Sequence, residues 1–415
     1  MEVKPTSREK INQLIQKGVL ISNPATLDIG IEVNPDHISG KDVRIDPGCR
    51  IYGSNTVISE GCTLGAEAPV TVENCRLGRK VELKGGCFRE SVFLDGASLG
   101  MGAHVREGCI LEEQASVAHS VGLKQTILFP FVTLGSLINF CDCLMAGGTS
   151  RQNHSEVGSS YIHFNYTPDG DKATPSLIGD VPRGVMLNQP PIFLGGQGGM
   201  VGPLRIGYGN VVSAGSILRQ DYPGNHQLIV SAPAANRVRP FRPSTYPHFK
   251  RLVENNILYL ANLRALAFWY TDVRKHFLEA QEFGSLIYNG VMDQLSLAGK
   301  ERIERLAAMA QRAAAAVSPQ SESAAERLAL NSSISKLQEL FTAAADCDQT
   351  RQAQESFLEN FAKFTGHAST PYLETVQKLP ADISARGVLW LTGIVDHFCQ
   401  RAQAVLPSLN LFKKL

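Results

Sequence analysis

A polar segment in the middle of the chain holds most of the side chains that could carry chemistry. Residues 147–191 include His154 and His163, whose imidazoles could act as general bases. The same segment includes Arg151 and Lys172, whose cationic groups could anchor a phosphate or diphosphate. Each could instead be structural, as a hydrogen-bonded histidine or a solvated surface charge. Because long polar loops inside a compact scaffold are usually functional, we predict that residues 147–191 form a functional loop.

Other residues near this segment are weaker candidates. Arg183 and Arg205 could also contact a phosphate. The run Asp169-Gly170-Asp171 is typical of a tight turn. We predict no metal site.

The sequence on both sides of this segment repeats with a period of six. Such a period is neither helical nor a simple strand alternation, and it predicts a parallel β-helix in which each short strand places one side chain in the same interior column. A solenoid of this kind needs stacked neighbours, and its flat faces become binding surfaces. The repeat is clearest at Phe93, Leu99, Val105, Leu111, Val117 and Leu123, and it returns at Leu194, Met200, Ile206, Val212 and Leu218.

Changes in composition divide the chain into four parts. Residues 1–26 are predicted to form an N-terminal helical cap, in which Ser7 caps the start of the helix and Gly18 ends it. Residues 27–225 carry the β-helix pattern, and residues 226–247 form a proline-rich connector. Beyond His248 glycine becomes rare and apolar residues recur at helical spacing, so residues 248–415 are predicted to form an α-helical domain. Its apolar stripes are expected to be core, and it holds no catalytic motif.

Length, charge and cysteine content limit the class of protein. The 415 residues exceed one ordinary core, which favours two domains. With 40 Lys+Arg and 39 Asp+Glu the charge is balanced, so no nucleic-acid partner is expected. No stretch reaches the ~18 apolar residues of a membrane span and no signal peptide is evident, which predicts a soluble, cytoplasmic protein. Nine cysteines without a CxxC pair are expected to be reduced and buried.

Two runs resemble the acetyltransferase half of the bacterial bifunctional UDP-N-acetylglucosamine pyrophosphorylase/glucosamine-1-phosphate N-acetyltransferase, a hexapeptide-repeat acyltransferase. They are VGSSYIHFNYTPDGDKATPSLIGD and LGGQGGMVGPLRIGYGNVVSAGSILRQD, and the resemblance spans roughly residues 130–221. It implies a left-handed parallel β-helix, here followed by an all-α helical domain. It also implies a homotrimer with sites between subunits, and acetyl-CoA or another acyl-CoA as co-substrate.

The resemblance also assigns roles to particular residues. Asn165 and Tyr166 match an Asn-Tyr pair that contacts the sugar phosphate and the acetyl donor, and Lys172 falls near a lysine of the family. The glycine-rich run with Gly195 and Gly196 matches positions close to coenzyme A. Ser213 matches a small residue whose backbone meets the same co-substrate.

The base of the family is replaced in this chain. The resemblance places a catalytic histidine 23 residues before the asparagine, and this chain has Asp142 there. An aspartate can act as a general base if burial raises its pKa. With roughly 18 residues per coil, His163 lies about one coil beyond Asp142. Asp142 could therefore orient His163 as the base, and His154 is the other candidate.

Together these residues predict an N-acyltransferase that acts on an amino-sugar phosphate or a sugar nucleotide such as a UDP-sugar. The replaced base favours an alternative, a catalytically altered UDP-sugar-binding or scaffold protein with the same fold. A third interpretation is a protein related to sugar nucleotidyltransferases. It is disfavoured because no glycine-rich nucleotide loop precedes the β-helix.

Overall fold

The computed structural model describes residues 6–231, 236, 238, 240–241, 243–317, 324–342, 348–366 and 370–412. The helices are α1 (Ser7–Lys17), α2 (Val181–Gly184), α3 (Phe249–Trp269), α4 (Lys275–Glu279), α5 (Gly284–Ala315), α6 (Ala324–Thr342), α7 (Asp348–Thr365), α8 (Tyr372–Gln377) and α9 (Ala381–Val405), and a π-helical turn (Tyr270–Arg274) joins α3 to α4. The strands are β1 (Leu20–Ile21), β2 (Asp28–Ile29), β3 (Arg44–Ile45), β4 (Arg50–Tyr52), β5 (Val57–Ile58), β6 (Thr63–Leu64), β7 (Val70–Glu73), β8 (Arg76–Leu77), β9 (Glu82–Leu83), β10 (Gly86–Arg89), β11 (Ser91–Phe93), β12 (Ser98–Leu99), β13 (Ala103–Val105), β14 (Cys109–Leu111), β15 (Ser116–Val117), β16 (Gly122–Leu128), β17 (Thr133–Leu134), β18 (Asn139–Met145), β19 (Gly148–Ser150), β20 (Asn153–His154), β21 (Glu156–Val157), β22 (Ile162–Phe164), β23 (Ser176–Ile178), β24 (Phe193–Leu194), β25 (Gly199–Val201), β26 (Arg205–Ile206), β27 (Val211–Val212), β28 (Ile217–Leu218) and β29 (Leu228–Ile229).

The strands stack in parallel into a solenoid with three faces. Face 1 is an eleven-stranded sheet that runs from β1 to β29. Face 2 contains β2, β4, β7, β10, β13, β22, β25 and β28, and face 3 contains β5, β8, β11, β14, β23 and β26. The longer strands β16 and β18 bend around the corner and belong to both of these faces. The predicted fold class, a left-handed parallel β-helix followed by an all-α domain, is confirmed.

The period of six corresponds to columns of interior side chains. Within a column, each residue pairs in register with its equivalent one rung away, and burying each large apolar side chain contributes about 1.5–3 kcal/mol. On face 2, one column runs in register through Phe88, Val105, Leu123 and Phe140, all fully or almost fully buried. The solenoid core is therefore a stack of equivalent interior positions, one from each rung.

The corners of the solenoid need a left-handed backbone. At the corner between faces 2 and 3, Gly108, Gln125 and Asp142 have φ values of 81°, 50° and 61° on successive rungs. Glycine adopts this conformation without strain, and aspartate tolerates it better than most residues. Asp142 therefore has a structural reason to occupy this corner.

Helix α1 closes the N-terminal end of the solenoid. Its N-cap is Thr6, one residue before the predicted Ser7, and Thr6 forms a capping box with Glu9. Gly18 ends the helix in the left-handed conformation, as predicted. The buried ammonium of Lys10 donates to the carbonyls of Gly30, Ile31 and Val33, which satisfies backbone oxygens at the open end.

The helical domain covers face 3. Helix α5 runs past successive rungs, and it contacts β8, β11 and β14. A Cβ at Gly290 would lie 1.9 Å from Cδ of Arg76, so this close approach requires glycine. Further along α5, Gln294 accepts a 3.0 Å hydrogen bond from the amide of Gly108. Faces 1 and 2 are left with their outward side chains uncovered by α5.

A second contact between the domains is a buried charged cluster. Two consecutive glutamates of the solenoid meet residues of the π-helical turn. Arg274 makes a bidentate ion pair with Glu113, with Nη1 3.0 Å from Oε2, and Tyr270 donates a hydrogen bond to Glu112. The guanidinium of Arg274 also lies 3.8 Å from the ring centroid of Tyr372. These contacts fix the start of α4 on the solenoid.

Two further sequence predictions concern cysteines and membranes. The eight described cysteines form no disulfide, and seven are buried, as expected. Cys347 lies outside the described residues. Among the helices of the described ranges, none has the length and apolarity needed to cross a bilayer.

The charged cluster predicts a pH-dependent stability. Burial raises the pKa of Glu112 from its ordinary value of 4.5 to about 7, and Glu113 adds to this effect while Arg274 opposes it. Because the folded-state pKa is the higher one, the stabilising contribution is complete below pH 4.5 and is lost as the pH rises through about 7. Glu112→Gln mimics the protonated acid. In this variant the urea concentration at the unfolding midpoint should fall less between pH 4.5 and about 7 than in the parent protein. The exposed Glu82→Gln variant serves as the control, and equal slopes in the two variants would contradict the prediction.

Candidate functional site

Residues 147–191, predicted as one functional loop, form three insertions that are separated by strands of the solenoid. The hairpin β19–β20 lies at the corner between faces 3 and 1, and residues 165–175 lie at the corner between faces 2 and 3. Residues 179–192, which include α2, return to the corner between faces 3 and 1. Strands β21, β22 and β23 continue the three faces between these insertions, which explains why the polar segment keeps the solenoid register.

His163 lies inside the solenoid. It pairs in register with Met200 and continues the face 2 column that contains Phe140, and it is 2% exposed. Its Nε2 is 2.8 Å from Oγ of Ser176, which also accepts a hydrogen bond from the amide of Leu204. Burial lowers the pKa of His163 to about 4, although the charge of Asp142 acts in the opposite direction. This environment favours a neutral imidazole that fills the core.

Asp142 is held by a residue of the helical domain. Its Oδ1 lies 2.7 Å from Nη2 of Arg302, and both side chains are almost fully buried. Its Oδ2 accepts a 3.2 Å hydrogen bond from Nδ2 of Asn165. Asp142 and His163 form no hydrogen bond with each other among the described residues, because both carboxylate oxygens bind other side chains and Nε2 of His163 lies beside Ser176. Asp142 instead links Arg302 to Asn165.

This link fixes the orientation of the Asn165 amide. Because Nδ2 donates to Asp142, the carbonyl oxygen Oδ1 is left to accept hydrogen bonds from elsewhere. The neighbouring Tyr166 is 76% exposed, so its ring and hydroxyl are available on the surface. The structure thus brings together three predicted residues, Asp142, Asn165 and Tyr166.

The rest of this insertion is fastened to the helical side of the molecule. Asp171 accepts a 2.6 Å hydrogen bond from the hydroxyl of Tyr246, and Asp169 accepts from the amide and hydroxyl of Ser244. The backbone carbonyl of Lys172 accepts from Arg302 at 3.3 Å. Both aspartates therefore already have hydrogen-bond donors, and the described residues contain no cluster of three or more metal-ligating side chains.

His154 and Arg151 lie at a different corner, on the hairpin between faces 3 and 1. Nη1 of Arg151 lies 2.9 Å from the carbonyl of Phe131 and 3.0 Å from the carbonyl of Gln114, so the arginine joins two earlier rungs. Nδ1 of His154 lies 2.8 Å from the carbonyl of Arg151. In the tautomer in which Nδ1 donates, Nε2 carries the lone pair, and it lies 3.7 Å from the Glu156 carboxylate. In this tautomer Nε2 of the partly exposed imidazole can accept a proton, as a general base must.

The predicted coenzyme A residues lie at the third corner, between faces 1 and 2. A Cβ at Gly195 would lie 2.4 Å from the amide nitrogen of Ala214, and a Cβ at Gly196 would lie 2.9 Å from the carbonyl of Ser159. These glycines therefore allow neighbouring rungs to approach closely. The Ser213 hydroxyl lies 2.8 Å from the hydroxyl of Ser216. The corner is a smooth, open edge of small residues.

The predicted residues consequently occupy all three corners of the prism. The hairpin histidine, the Asn165 insertion and the glycine-rich edge are each separated by one face of the solenoid. A single chain brings Asp142, Asn165 and Tyr166 together but does not bring them to His154 or Gly196. The two weaker candidates, Arg183 and Arg205, line a separate groove on the helical side.

Arg302 was missed by sequence reasoning. It lies in the run KERIERLAAM, where charged residues at helical spacing usually form a solvated face. Its burial depends on the docking of α5 against the corner that holds Asp142. Tyr259, which is fully buried near the same ion pair, was also not predicted.

Comparisons with known proteins confirm the resemblance inferred from the sequence. Over 214 residues the chain is 31% identical to the bifunctional protein GlmU of Thermotoga sp. (strain RQ2), covering 52% of this chain and 42% of that protein. It is 32% identical over 214 residues to the same protein of Thermotoga maritima, with the same coverage. For the GlmU of Lawsonia intracellularis the identity is 28% over 219 residues. The chain thus spans less than half the length of these relatives, and no family model matches it.

Solved structures give weaker likenesses. One is the UDP-N-acetylglucosamine O-acyltransferase (LpxA) from Moraxella catarrhalis RH4, with a TM-score of 0.28, 11% identity and coverage of 66% of this chain and 96% of that one. Another is the polySia specific acetyltransferase NeuO, with a TM-score of 0.20, 13% identity and coverage of 56% and 95%.

The buried ion pair predicts a large loss of stability on removal of one partner. Arg302→Met leaves the Asp142 carboxylate buried without its cation, which should cost about 3–5 kcal/mol in the free energy of unfolding by urea. The control is Arg305→Met in the same helix, because Arg305 is 33% exposed and pairs with Glu301 at the surface. That variant should lose less than ~1 kcal/mol. Adding Asp142→Asn to Arg302→Met should restore part of the loss, and equal effects of the two arginine variants would refute the prediction.

Proposed function

We propose that this chain is an acyl-coenzyme A-dependent N-acyltransferase that acts on an amino-sugar phosphate or a UDP-linked amino sugar. The similarity to GlmU proteins supports a sugar acyltransferase in general terms. The observation that carries the proposal is the Arg302–Asp142–Asn165 chain of contacts, which fixes the Asn165 amide with its oxygen free beside the exposed Tyr166. A preoriented acceptor of this kind suits a sugar hydroxyl or amine.

In this proposal Asp142 positions Asn165 and does not serve as the base. Its carboxylate is already neutralised by Arg302, and His163 is enclosed in the core. His154 remains as the general base among the predicted residues, because its Nε2 is oriented by the hydrogen bond at Nδ1. The sugar amine attacks the thioester carbonyl, a C–N bond forms and the C–S bond breaks. Nε2 takes a proton from the attacking nitrogen and passes it to the departing thiolate, so coenzyme A leaves as the thiol.

The co-substrate fits the open corner between faces 1 and 2. Gly195, Gly196 and Ser213 lie along this edge, and in this proposal a long flexible ligand such as pantetheine lies against it. Exposed apolar side chains flank the edge on both sides, namely Phe193 and Val211 on face 1 and Ile162, Phe164 and Val201 on face 2. No metal is part of the proposed reaction, which we assign to the cytoplasm.

Since the three corners of one chain do not meet, the proposal requires more than one copy. A homotrimer would bring the corner of one chain against the face of the next. The helices cover face 3, whereas face 1 presents the apolar side chains Phe193 (41% exposed), Val211 (42%) and Leu228 (72%) on three successive rungs. Such a contiguous apolar stripe is typical of a subunit interface.

A second candidate is a UDP-sugar-binding or scaffold protein that does not catalyse transfer. The ion-paired Asp142 favours it, because the position of the expected base carries no free proton acceptor. In this alternative Asn165, Tyr166 and Lys172 bind the sugar phosphate, and the helical domain serves as a partner surface.

Two matched histidine variants separate these functions. Acetyl-CoA should bind the intact protein saturably in calorimetric titration, and acetyl transfer to amino-sugar phosphates should be measurable. His154→Gln should lower kcat by about 10²–10⁴-fold, the usual contribution of a general base, with little change in acetyl-CoA affinity. His163→Met, which keeps the volume of an interior position, should leave kcat within a few-fold of the parent.

The reverse pattern, in which only His163→Met abolishes transfer, would sink this assignment. Binding of a UDP-sugar without any transfer would favour the second candidate. Absence of acetyl-CoA binding up to ~1 mM, the range of weak specific affinity, would reject the acyltransferase proposal.

The oligomer has its own test. Phe193→Asp and Val211→Asp place charges in the apolar stripe of face 1, and each should convert a trimer to monomers in light scattering after size-exclusion chromatography. Leu389→Asp is the matched control, because Leu389 is 66% exposed on the helical domain. A monomeric parent protein, or a trimer that survives both face 1 variants, would contradict the predicted interface.

A further inference from the structure

A groove separates the last rungs of the solenoid from the helical domain, and residues 179–183 form part of its wall. Its apolar end is a pocket of about 310 Å³, lined by Leu177, Ile206, Leu258, Val388 and Val395. Its open end is a cavity of about 800 Å³, lined by His248, Lys250, Arg251 and Glu254. Arg205, Pro223 and Leu258 line both, so the two cavities are continuous. Their volumes lie in the range of small-molecule sites.

The polar end of this groove holds cations that are poorly neutralised. Nη2 of Arg205 is 3.8 Å from Asp221, and Nη1 of Arg251 is 3.5 Å from the same carboxylate. Lys250 is 3.9 Å from Glu254. Three cations therefore share two carboxylates, each at a distance longer than a direct charge-assisted hydrogen bond.

Asp221 also binds amide donors. Its Oδ1 accepts from the backbone amide of Arg205 at 3.0 Å and from Nδ2 of Asn255 at 3.0 Å. These contacts fasten the carboxylate to the solenoid and to α3. Within the described part of the chain, Nη2 of Arg205 has this carboxylate as its ion-pair partner at 3.8 Å, so the terminal nitrogen keeps donor capacity toward the groove.

The sequence spacing on α3 brings both ends of the groove onto one helix face. Arg251, Leu258 and Asn262 are separated by seven and four residues, so they lie on one side of the helix. Arg251 reaches the open end of the groove, and Leu258 reaches the apolar pocket. The groove is therefore a composite of a cationic mouth and an aliphatic interior.

We propose that this groove binds a phosphate monoester whose organic group is aliphatic. The phosphate oxygens would accept from the terminal nitrogens of Arg205 and Arg251 and from Lys250. The aliphatic group would fill the pocket beside Leu258 and Val388. This ligand site goes beyond the proposed acyl transfer and does not depend on it, because none of its lining residues takes part in that reaction.

The test is calorimetric titration of the full chain with n-hexyl phosphate, n-hexanoate, n-hexanol and inorganic phosphate at low salt. Hexyl phosphate should bind with a Kd of ~1 mM or tighter, and more tightly than the other three probes. Arg205→Gln should weaken it by roughly tenfold or more, as expected for one charge-assisted contact. Arg251→Gln, at a more exposed position, should also weaken the binding of hexyl phosphate. It takes the place of Arg205→Gln in the test if that variant is unstable.

Two further variants locate the ligand. Val388→Phe fills the pocket and should abolish the preference for hexyl phosphate over inorganic phosphate. Arg50→Gln removes one positive charge from an exposed position on β4, outside the groove, and should change no affinity. Equal binding of hexanoate would overturn the phosphate assignment. Unchanged affinity in both groove arginine variants, or no saturable binding of hexyl phosphate by the parent, would overturn the site itself.

Discussion

The stacking of rungs is the constraint on which the rest of the structure depends. Parallel strands lie about 4.8 Å apart, so every residue has an equivalent directly above and below it. Interior positions must be filled by compatible side chains on each rung, and corners must adopt a left-handed or small-residue conformation. Asp142 lies at such a corner beside Gln125, and Gly195 is pressed against the rung of Ala214. Several residues that appear chemically suggestive are thus first required by the solenoid geometry.

This constraint explains how far the sequence could be interpreted. The period of six was sufficient to predict the β-helix, because repetition of the interior column is a local property. The same period also predicts the buried environment of His163. His163 lies six residues after Val157, just as Leu123 lies six residues after Val117. The sequence reasoning instead grouped His163 with the polar loop. A polar residue in phase with a buried column is better predicted as core, and here Nε2 of His163 pairs with Ser176.

The contacts of the helical domain could not be predicted in the same way. The pairing of Arg302 with Asp142 joins residues 160 positions apart, and nothing local distinguishes Arg302 from its neighbour Arg305. Arg302 and Arg305 lie three residues apart on α5, yet Arg302 is almost fully buried and Arg305 is partly exposed, and this difference is determined only when α5 docks on the solenoid through Gly290 and Gln294. The predicted roles of Asn165 and Tyr166 stay predictions, but the contact of Asn165 with Asp142 joins Asn165 to Arg302 of the helical domain.

The position of the helices also limits where other molecules can bind. By covering face 3, the domain leaves faces 1 and 2 for contacts between copies, and face 1 carries an apolar stripe on the last rungs. The opposite side of the same rungs forms one wall of the cationic groove, whose other wall is α3 and α9. An oligomer built through face 1 would therefore leave the groove open. The last rungs could then support an assembly on one side and a ligand on the other, with Arg205 and Phe193 facing separate environments on adjacent faces of one prism.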